Sequence, residues 1–565
     1  MPLKRSHKFI LIFLLLLGTA LQSLTMFRSG LFYDFGLGFW GANAHDGLWH
    51  LSLAGQVFRG FPIPHPTFSG SLLTNYHFFY DFLLSLVNKI TFIPLSVLYF
   101  QIFPILLSFF LGFLSFWVGY LWRKDFWTGF WLAFLNYFAT SFGFLVTLFR
   151  SSDLGGESLF WSMQSISTLI NPPFALSLIF LLLGLLILLK VKNWNYLKVI
   201  GLALLFGILI NVKFYAGVVG LTGLGIYSFL KLLKKEKVYL YLFLLSSLIS
   251  LVIFIPFNFG AGSLVIFKPF WFVHSMLESP DRFYLPKIVL ARYFLITKGF
   301  GPRLFLIEAI GLFVFIVGNL GARIFGLFGF IKSFKDKNKE FNWFLIGGGL
   351  VGLIIPLLFV QKGTAWNTIQ FFYYFLFFFN FYLAFSLSSF MKFKKIGIFL
   401  VLLVLLLIIP GNIGSLRNYF GWPPPAAVFK EEKEALDFLK KEKQGVVLTF
   451  PYNKYQKDFY KETPLPVYVY ESTAYVSAFS LKQSFLADEV NLNISGYDWQ
   501  GRRDEVVKFF ESEDKDWARG FLLNNQIAYI YLIKDQKINL SEDDLGVSLI
   551  FDNQKVKIYQ VRGII

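Results

Sequence analysis

The chain contains no cysteine among its 565 residues. This absence excludes disulfide bonds, thiolate metal sites and cysteine nucleophiles. Histidine is also scarce, with six copies, and charged residues make up only 15% of the sequence. No P-loop and no glycine-rich nucleotide-binding motif is present. Any chemistry must therefore come from a small number of carboxylates, imidazoles and basic side chains.

Apolar residues are abundant instead. Hydrophobic residues account for 56% of the chain and aromatic residues for 20%, with 74 phenylalanines. Repeated apolar runs of about 17 to 25 residues predict membrane-spanning helices. The net charge of +18 would suggest nucleic-acid binding in a soluble protein. Here Lys and Arg lie in short clusters between the apolar runs, so they indicate membrane topology and we expect no nucleic-acid partner.

The basic clusters predict how the chain crosses the membrane. They occur at Lys4 to Lys8, Arg123 and Lys124, Lys190 to Lys198, Lys231 to Lys237, Lys332 to Lys339, and Lys392 to Lys395. Placing every cluster on the cytoplasmic side of the cytoplasmic membrane puts the N-terminus inside and the C-terminus outside. It requires eleven spans, near residues 9–26, 96–122, 126–148, 174–190, 198–212, 214–230, 238–256, 304–326, 342–360, 371–390 and 396–411.

Two of these assignments have alternatives. Residues 198–230 could form one long helix, but two short helices meeting at "NVKFYAG" keep Lys231 to Lys237 inside. Residues 1–20 could form a signal peptide, since Gly18-Thr19-Ala20 is a weak cleavage pattern. The apolar run continues past that site, which favours a retained anchor.

The predicted architecture is a polytopic α-helical membrane domain over residues 1–411 with a soluble C-terminal α/β domain over residues 430–565. Long outer loops cover residues 27–95, 149–173 and 257–303, and a Pro-rich linker covers residues 412–429. In the C-terminal region "KEEKEALDFLKK", "RRDEVVKFFES" and "DWARGFLLNN" predict helices. The β-branched and aromatic runs "GVVLTF", "VYVYES", "AYVSAF" and "IAYIYLI" predict strands.

The first outer loop concentrates polar residues directly after the first span. Asn43 and Asp46 are spaced as in a capping box at the start of a helix. On that helix Asp46 and His50 are separated by four residues, and so are His45 and Trp49. The pattern predicts a carboxylate beside an imidazole, next to an aromatic wall. Further along, "TNYHFFYDFLLSLVNKI" predicts an amphipathic helix on the membrane surface, with His77 and Asp81 at the same spacing.

Other interpretations of this loop stay open. Asp46 could simply stabilise a helix N-terminus while the histidines and Trp49 line a membrane interface. Four histidines could instead bind a transition metal, although their spacing matches no compact site. These are His45, His50, His65 and His77.

The second outer loop contributes two more carboxylates, Asp153 and Glu157, in "RSSDLGGESLFW". Together with Asp46 they could bind a divalent cation, Mg²⁺ or Mn²⁺, through oxygen ligands. A plain turn around Gly155 and Gly156 is the alternative.

Basic residues at the outer ends of spans are candidate ligands for a phosphate group. Lys213 and Lys362 are unusual in that position, and their alternative role is snorkelling to lipid headgroups. The third outer loop supplies two arginines, and the segment "VQKGTAWNTIQ" adds an aromatic side chain and amides suited to a sugar ring. The predicted substrate-binding set is His45, Trp49, Lys213, Arg282, Arg292, Lys362, Trp366, Asn367 and Gln370.

The combination of an anchored N-terminus, an acidic residue in the first outer loop, a surface helix, about eleven spans and a soluble outer domain resembles the GT-C superfamily of integral-membrane glycosyltransferases. The resemblance implies a polyprenyl-linked sugar donor and a glycan, lipid or protein acceptor, with transfer on the outer face of a prokaryotic membrane. It also implies that Asp46 is the catalytic base or acceptor-orienting carboxylate, with His50 orienting it or carrying the proton. The chain has His45-Asp46 where family members often carry an acidic pair. The alternatives are a transporter or lipid flippase, and a non-catalytic membrane scaffold.

Overall fold

The structure, a computed structural model, describes residues 4–258, 264–335 and 339–564. Parts of the predicted third outer loop and of the basic cluster at Lys332 to Lys339 lie outside the described residues. The chain forms two compact units. Unit 1 consists of Met1–Thr25 and Ile105–Phe420, and unit 2 consists of Met26–Pro104 and Gly421–Ile565.

Unit 1 is built from apolar helices. They are α1 (Arg5–Phe27), α5 (Phe103–Arg123), α6 (Phe126–Phe138), α7 (Gly143–Ser151), α8 (Pro172–Lys190), α9 (Tyr196–Val212), α10 (Phe214–Leu233), α11 (Val238–Phe254), α12 (Trp271–Glu278), α13 (Pro286–Thr297), α14 (Pro302–Leu320), α15 (Gly326–Ser333), α16 (Lys339–Leu358), α17 (Gln370–Phe390) and α18 (Lys394–Phe420). Two short strands, β3 (Val265–Phe267) and β4 (Phe359–Gln361), pair antiparallel.

Nine helices of the described chain are long and apolar enough to cross a membrane, and the bent pair α6 and α7 would make a tenth. Every predicted span coincides with an apolar helix, but α9, at 17 residues, is shorter than these. The expected count of eleven therefore exceeds the number of full-length helices by one or two. The polytopic helical architecture is confirmed, and the chain is an integral membrane protein.

The division of residues 198–230 into two helices is confirmed. Lys213 adopts an extended conformation, with φ −160° and ψ 118°, between α9 and α10. Such a residue cannot continue an α-helix, so Lys213 donates the last helical hydrogen bond of α9, to the Leu209 carbonyl, and accepts the first one of α10, from the Gly217 N–H.

Unit 2 combines N-terminal and C-terminal segments. Its helices are α2 (Asp46–Gln56), α3 (Phe79–Thr91), α4 (Leu95–Val97), α19 (Lys430–Lys441), α20 (Val467–Tyr470), α21 (Tyr475–Ser480), α22 (Glu489–Ser495), α23 (Gln500–Glu511), α24 (Lys515–Asn524) and α25 (Glu542–Leu545). Its strands are β1 (Phe32–Tyr33), β2 (Gly36–Phe39), β5 (Ala426–Phe429), β6 (Val446–Thr449), β7 (Leu465–Pro466), β8 (Ile527–Ile533), β9 (Val547–Asp552) and β10 (Val556–Val561).

Two sheets join these segments. One has the order β1-β2-β5-β7, in which β2 of the first outer loop pairs antiparallel with β5 of the C-terminal region. The other has the order β6-β8-β10-β9, with β6 and β8 parallel and the remaining pairs antiparallel. Within the predicted linker 412–429, the residues up to Phe420 continue α18 and Ala426–Phe429 form β5.

The first outer loop and the C-terminal region also share a hydrophobic core. Phe68 packs among the buried residues of β6, β8, α23 and α24, and Ala474 packs with Trp49 and Leu53 of α2. The C-terminal domain predicted over residues 430–565 therefore has core partners from the N-terminal part of the chain. Its boundaries as a domain stay a prediction.

Two of the predicted strands in this region were wrong. "VYVYES" contains α20 and "AYVSAF" contains α21, whereas "GVVLTF" and "IAYIYLI" form β6 and β8 as predicted. The residues of α21 are all buried, and a short apolar run that is buried all round carries no period to distinguish a helix from a strand. The three predicted helices are α19, α23 and α24.

Candidate functional site

A chain of three charged side chains in unit 2 contains the predicted catalytic residue. The His45 imidazole lies between two carboxylates, with its Nδ1 2.8 Å from Asp46 Oδ1 and its Nε2 3.0 Å from Asp488 Oδ1. The side chain of Asp46 is 44% exposed, that of His45 is 8% exposed and that of Asp488 is fully buried. The arrangement thus runs from a buried carboxylate to one that solvent and a ligand can reach.

The local backbone explains these positions. A short 3₁₀ helix, Gly41–Ala44, precedes α2, and His45 is the last residue before α2 begins at Asp46. Asp488 adopts a left-handed conformation, which Asp tolerates better than most residues, and accepts the N–H of Asn491 to cap α22. Both carboxylates therefore stand at helix N-termini, where the helix dipole favours negative charge.

The electrostatics favour a protonated His45. Burial lowers the pKa of His45, but Asp488 and Asp46 more than offset burial and hold that pKa well above its ordinary value. The imidazolium then donates a hydrogen bond to each carboxylate. Asp46 is fixed in place by a charged donor that is itself anchored to Asp488.

Two expected contacts in this loop were wrong. Asn43 does not cap α2, because it lies in the 3₁₀ helix and donates to Ser29 Oγ at 2.9 Å. His50 pairs with Asp81, at 2.8 Å from Nδ1 to Oδ1, rather than with Asp46 four residues earlier. The expected Asp46 and His50 pair is thus replaced by two separate pairs, because His50 faces the side of α2 that packs against α3.

The aromatic wall predicted beside the carboxylate lies inside the protein. Trp49 is 1% exposed and contacts the rings of His65 and Tyr76, with centroids 5.6 and 5.2 Å away. Burial lowers the pKa of His65 to about 3, so that imidazole is neutral. Trp49 therefore stabilises the core of unit 2 and presents no exposed face to a sugar.

Next to Asp488 lies an open cleft of about 530 Å³, wholly within unit 2. The segments that form it are the loop after β6, the loop between α20 and α21, the start of α22 and part of β8. Its lining residues are Thr449, Phe450, Pro451, Tyr452, Tyr468, Glu471, Ser472, Thr473, Tyr475, Val476, Leu486, Ala487, Asp488, Glu489, Tyr531 and Gln536. No pattern in the sequence pointed to this cleft, since its lining comes from separate loops.

In unit 1 the structure brings three of the predicted substrate-binding residues into one hydrogen-bonded network. Lys213, which is 4% exposed, donates from Nζ to Asn171 Oδ1 at 3.2 Å. Asn171 Nδ2 lies 3.5 Å from Gln370 Oε1, and Gln370 hydrogen-bonds Asn367. Asn367 in turn donates to Gln361 Oε1 at 2.7 Å. Lys213 is therefore a buried ammonium group with an amide partner, and it does not extend to lipid headgroups.

The remaining members of that predicted set lie apart from the network. Lys362 and Trp366 are exposed in the segment after β4. The Arg282 guanidinium stacks 3.9 Å over the ring of Trp161 and donates to the Ser158 carbonyl. Arg292 is held by Glu308, at 2.6 Å from Nε to Oε1, and by Glu278, so its charge is already compensated.

The predicted metal ligands are not assembled into a group. Asp153 forms an ion pair with Arg417 at 2.8 Å, and Glu157 accepts the N–H of Gln164 at 3.3 Å. The turn between them needs its glycines, since Gly156 has φ +81° and a Cβ there would meet the Gly143 carbonyl at 2.5 Å. Asp46 belongs to unit 2. In the part of the chain that the structure describes, no three acidic or histidine side chains are grouped to hold a metal ion.

A buried arginine in unit 1 was missed from the sequence. Arg323, 3% exposed, follows α14 and donates to Asn380 Oδ1 at 2.8 Å, to the carbonyls of Ala139 and Thr140, and to Ser165 Oγ. It borders a pocket whose other polar lining residues are Asn136, Gln164, Ser165, Thr168, Tyr373 and Asn380. No carboxylate of the described chain pairs with it. The sequence could have identified Arg323 as a functional residue, because it lies inside the predicted span 304–326 and an arginine within a membrane span is rare and usually functional.

Asp488 was missed for a different reason. The spacing of Asp488 and Asn491 indicates a helix start, but it cannot indicate a partner 443 residues earlier in the chain. Only the packing of α2 beside α21 brings His45 to Asp488.

Comparison with known proteins gives a fold match without a sequence match. No protein-family model matches the chain, and no curated protein matches it. Among solved structures, the Archaeoglobus fulgidus oligosaccharyltransferase in complex with Zn and sulfate is 14% identical with a TM-score of 0.51, over 92% of this chain and 68% of that one. Its apo form is 13% identical with a TM-score of 0.50, over 93% and 69%. The archaeal oligosaccharyltransferase AglB from the same organism, with an inhibitory peptide and a dolichol-phosphate, is 14% identical with a TM-score of 0.50, over 94% and 69%. The chain therefore has the fold of these archaeal oligosaccharyltransferases, and the resemblance expected from the sequence is confirmed at the level of the fold.

Proposed function

We propose that this protein is a membrane glycosyltransferase that transfers a sugar from a polyprenyl-linked donor to an acceptor of the cell envelope. The observation that carries the proposal is the Asp46, His45 and Asp488 chain, which presents one accessible carboxylate on an oligosaccharyltransferase fold. One neighbour of that fold was solved with an inhibitory peptide and a dolichol-phosphate. A polyprenyl phosphate is the same class of lipid.

Asp46 is suited to the acceptor side of the reaction. In transfer, the acceptor nucleophile loses a proton, forms a bond to the anomeric carbon, and the bond from that carbon to the donor phosphate oxygen breaks with its electron pair. A carboxylate that is partly exposed and held by an imidazolium can take up that proton or orient the nucleophile. The negative charge of Asp488 raises the pKa of His45 and keeps the imidazolium charged, and the charged hydrogen bond keeps Asp46 in one orientation.

The departing phosphate needs positive charge. In unit 1, Arg323 and Lys213 are buried cations surrounded by amide and hydroxyl groups, and no carboxylate of the described chain neutralises Arg323. A buried cation of this kind attracts an anion far more strongly than an exposed one does. Within unit 1, we propose Arg323 and Lys213 as candidate ligands of a lipid phosphate ahead of Lys362, which is exposed, and ahead of Arg292, whose charge Glu308 and Glu278 already balance.

The predicted Mg²⁺ or Mn²⁺ ligands form no assembled site among the described residues. The structurally similar oligosaccharyltransferase was solved with Zn, whereas Asp153 is paired with Arg417 here and the described residues include no three-ligand group. The roles proposed above therefore belong to side chains alone, and a divalent cation stays a prediction.

The proposed topology follows from the basic clusters. The N-terminus lies inside the cytoplasmic membrane, and unit 2 with the C-terminus lies outside. This places Asp46 on the face where a translocated lipid-linked sugar is available.

The direct test is Asp46→Asn in the full chain, reconstituted with a polyprenyl-linked sugar donor. We expect turnover to fall by about 10² to 10⁴, because a positioned base is lost at nearly constant volume. Asp34→Asn is the matched control, since Asp34 is an exposed carboxylate in the same outer loop, and it should leave turnover unchanged. Full turnover by Asp46→Asn would show that the carboxylate only stabilises the start of α2, at about 0.3 to 1 kcal/mol.

A second candidate function is the translocation of a lipid-linked saccharide. It is favoured by the break between α9 and α10 at the buried Lys213, since interrupted helices are typical of transport sites. Flux of a fluorescent polyprenyl-phosphate sugar into vesicles, lost in Lys213→Ala but kept in Asp46→Asn, would support this candidate against the transferase.

A further inference from the structure

The cleft beside Asp488 is lined by side chains of two kinds. Aromatic rings come from Phe450, Tyr452, Tyr468, Tyr475 and Tyr531. Of these, Tyr452 and Tyr468 are half-buried at its mouth, whereas Tyr475 and Tyr531 are 7% and 1% exposed and form its floor. The cleft therefore offers both accessible and buried ring surfaces to a ligand.

Acidic and hydroxyl groups make up the rest of its polar lining. Three carboxylates line it, those of Glu471, Asp488 and Glu489. Asp488 is paired with His45, and Glu489 is paired with Arg503, but Glu471 makes no ion pair with any described residue. Burial raises the pKa of the Glu471 carboxyl, and nearby His45 opposes that rise. None of the described lining residues is a Lys, Arg or His, and the three carboxylates disfavour phosphate and other anions as ligands.

One buried polar group in the lining lacks a partner within the described chain. Thr473 is 7% exposed, and its Oγ1 makes no hydrogen bond to the described residues. A buried hydroxyl without a partner costs about 1 to 3 kcal/mol, and such groups are normally satisfied by water or a ligand. Thr473 therefore indicates that the cleft accommodates a hydrogen-bonding molecule.

These features match the chemistry of a sugar. The faces of sugar rings carry C–H groups that pack on aromatic rings, and their hydroxyls donate to carboxylates and exchange hydrogen bonds with Thr and Tyr. A neutral, hydroxyl-rich ligand uses every part of this lining, and the carboxylates disfavour an anionic one.

We propose that this cleft is the acceptor site and that the acceptor is a saccharide, held with a hydroxyl toward Asp46. The proposal rests on the proposed transferase function and extends it by naming the acceptor class. Asp488 connects the two places, because it is a lining residue of the cleft and its carboxylate bonds His45. Tyr468 and Glu471 are the residues expected to contact the sugar, through ring stacking and hydroxyl hydrogen bonds respectively.

The test measures binding without the lipid donor. The full chain in detergent is titrated with maltose, cellobiose, mannobiose and N,N′-diacetylchitobiose as probes, followed by Tyr fluorescence and saturation-transfer NMR. We expect at least one disaccharide to bind. Tyr468→Ala and Glu471→Gln should each weaken that binding about fivefold or more, whereas Tyr468→Phe, which keeps the ring, should weaken it less than Tyr468→Ala.

Matched controls lie in the same unit but outside the cleft. Tyr455→Ala removes a tyrosine that is 64% exposed, and Glu513→Gln removes an exposed carboxylate. Neither should change saccharide binding. If all four probes fail to bind, or if the control variants weaken binding as much as the cleft variants do, the proposal is overturned. Binding of a neutral Ser/Thr-containing peptide in place of every saccharide would overturn it too.

The outcome is separable from that of the transferase proposal. Asp46→Asn should keep the binding of the wild-type protein, because Asp46 acts on the bound acceptor. Disaccharide binding lost in the cleft variants supports a saccharide site in this cleft even if Asp46→Asn keeps full turnover, a result that would refute the catalytic role of Asp46 and with it the site's role as the acceptor site. Loss of turnover in Asp46→Asn without any saccharide binding would leave the transferase and sink the acceptor site.

Discussion

Replacing Asp488 by Asn tests whether His45 transmits the charge of a buried carboxylate to Asp46. The substitution removes the charge but keeps an oxygen that can accept the Asn491 N–H, so the cap of α22 should cost little. What is lost is the charged hydrogen bond to His45 Nε2 at 3.0 Å. Hydrogen bonds to charged groups are worth about 1.5 to 3 kcal/mol, which predicts a fall in kcat/KM of about 10- to 100-fold.

The raised pKa of His45 determines the direction in which the pH profile of kcat/KM should shift. Because the pKa of His45 is raised in the folded protein, the imidazolium contacts are fully present below about pH 6.5 and are lost as pH rises through the folded pKa. Removing Asp488 lowers that folded pKa. The alkaline decline of kcat/KM should therefore begin at a lower pH in Asp488→Asn than in the wild-type protein.

The assay is transfer from a polyprenyl-linked donor in reconstituted membranes, measured as kcat/KM across the pH range. Asp81→Asn is a closely matched control, since Asp81 is also fully buried and bonds His50 at 2.8 Å. It should lower thermal stability and leave the pH profile unchanged. If the pH profile of kcat/KM is unshifted in Asp488→Asn, His45 does not hold Asp46 in the way proposed. If the profile shifts only in Asp81→Asn, that role belongs to His50, as the sequence predicted.

Three further predictions concern other parts of the chain. Arg323→Lys should weaken donor binding about tenfold or more, measured by donor titration, because lysine cannot donate to the four acceptors of Arg323 in a fixed plane. Unchanged donor affinity would make Arg323 purely structural. Burial raises the pKa of Glu432 to about 8, so the wild-type protein should lose stability as pH rises from about 4.5 to about 8. Glu432→Gln should lose less, with a difference in unfolding free energy of up to about 5 kcal/mol at the upper end, measured by thermal denaturation; parallel curves for the two proteins would contradict this. Residues 421–565 expressed alone should aggregate, and co-expression of residues 26–104 should restore solubility, because the two segments share a core.

The sequence by itself determined the helical membrane architecture. Long apolar runs can satisfy their backbone hydrogen bonds in a lipid environment only as helices, so composition was sufficient to locate each span. The break at Lys213 was also predictable, because a single long helix would have moved a four-lysine cluster to the wrong side. Local periodicity was likewise sufficient for α19, α23 and α24, whose polar and apolar faces differ clearly.

Only the tertiary structure decided which polar groups meet. His45 bonds Asp488 across 443 residues and His50 bonds Asp81 across 31, whereas the sequence predicted a pair within one helical turn. Local spacing shows which side chains share a helix face, but the partner of a buried charge depends on which segments pack together. The helix α21 was mispredicted for the same reason. Its residues are all buried, so their apolar pattern could not distinguish a helix from a strand, and the packing around them determined the helix.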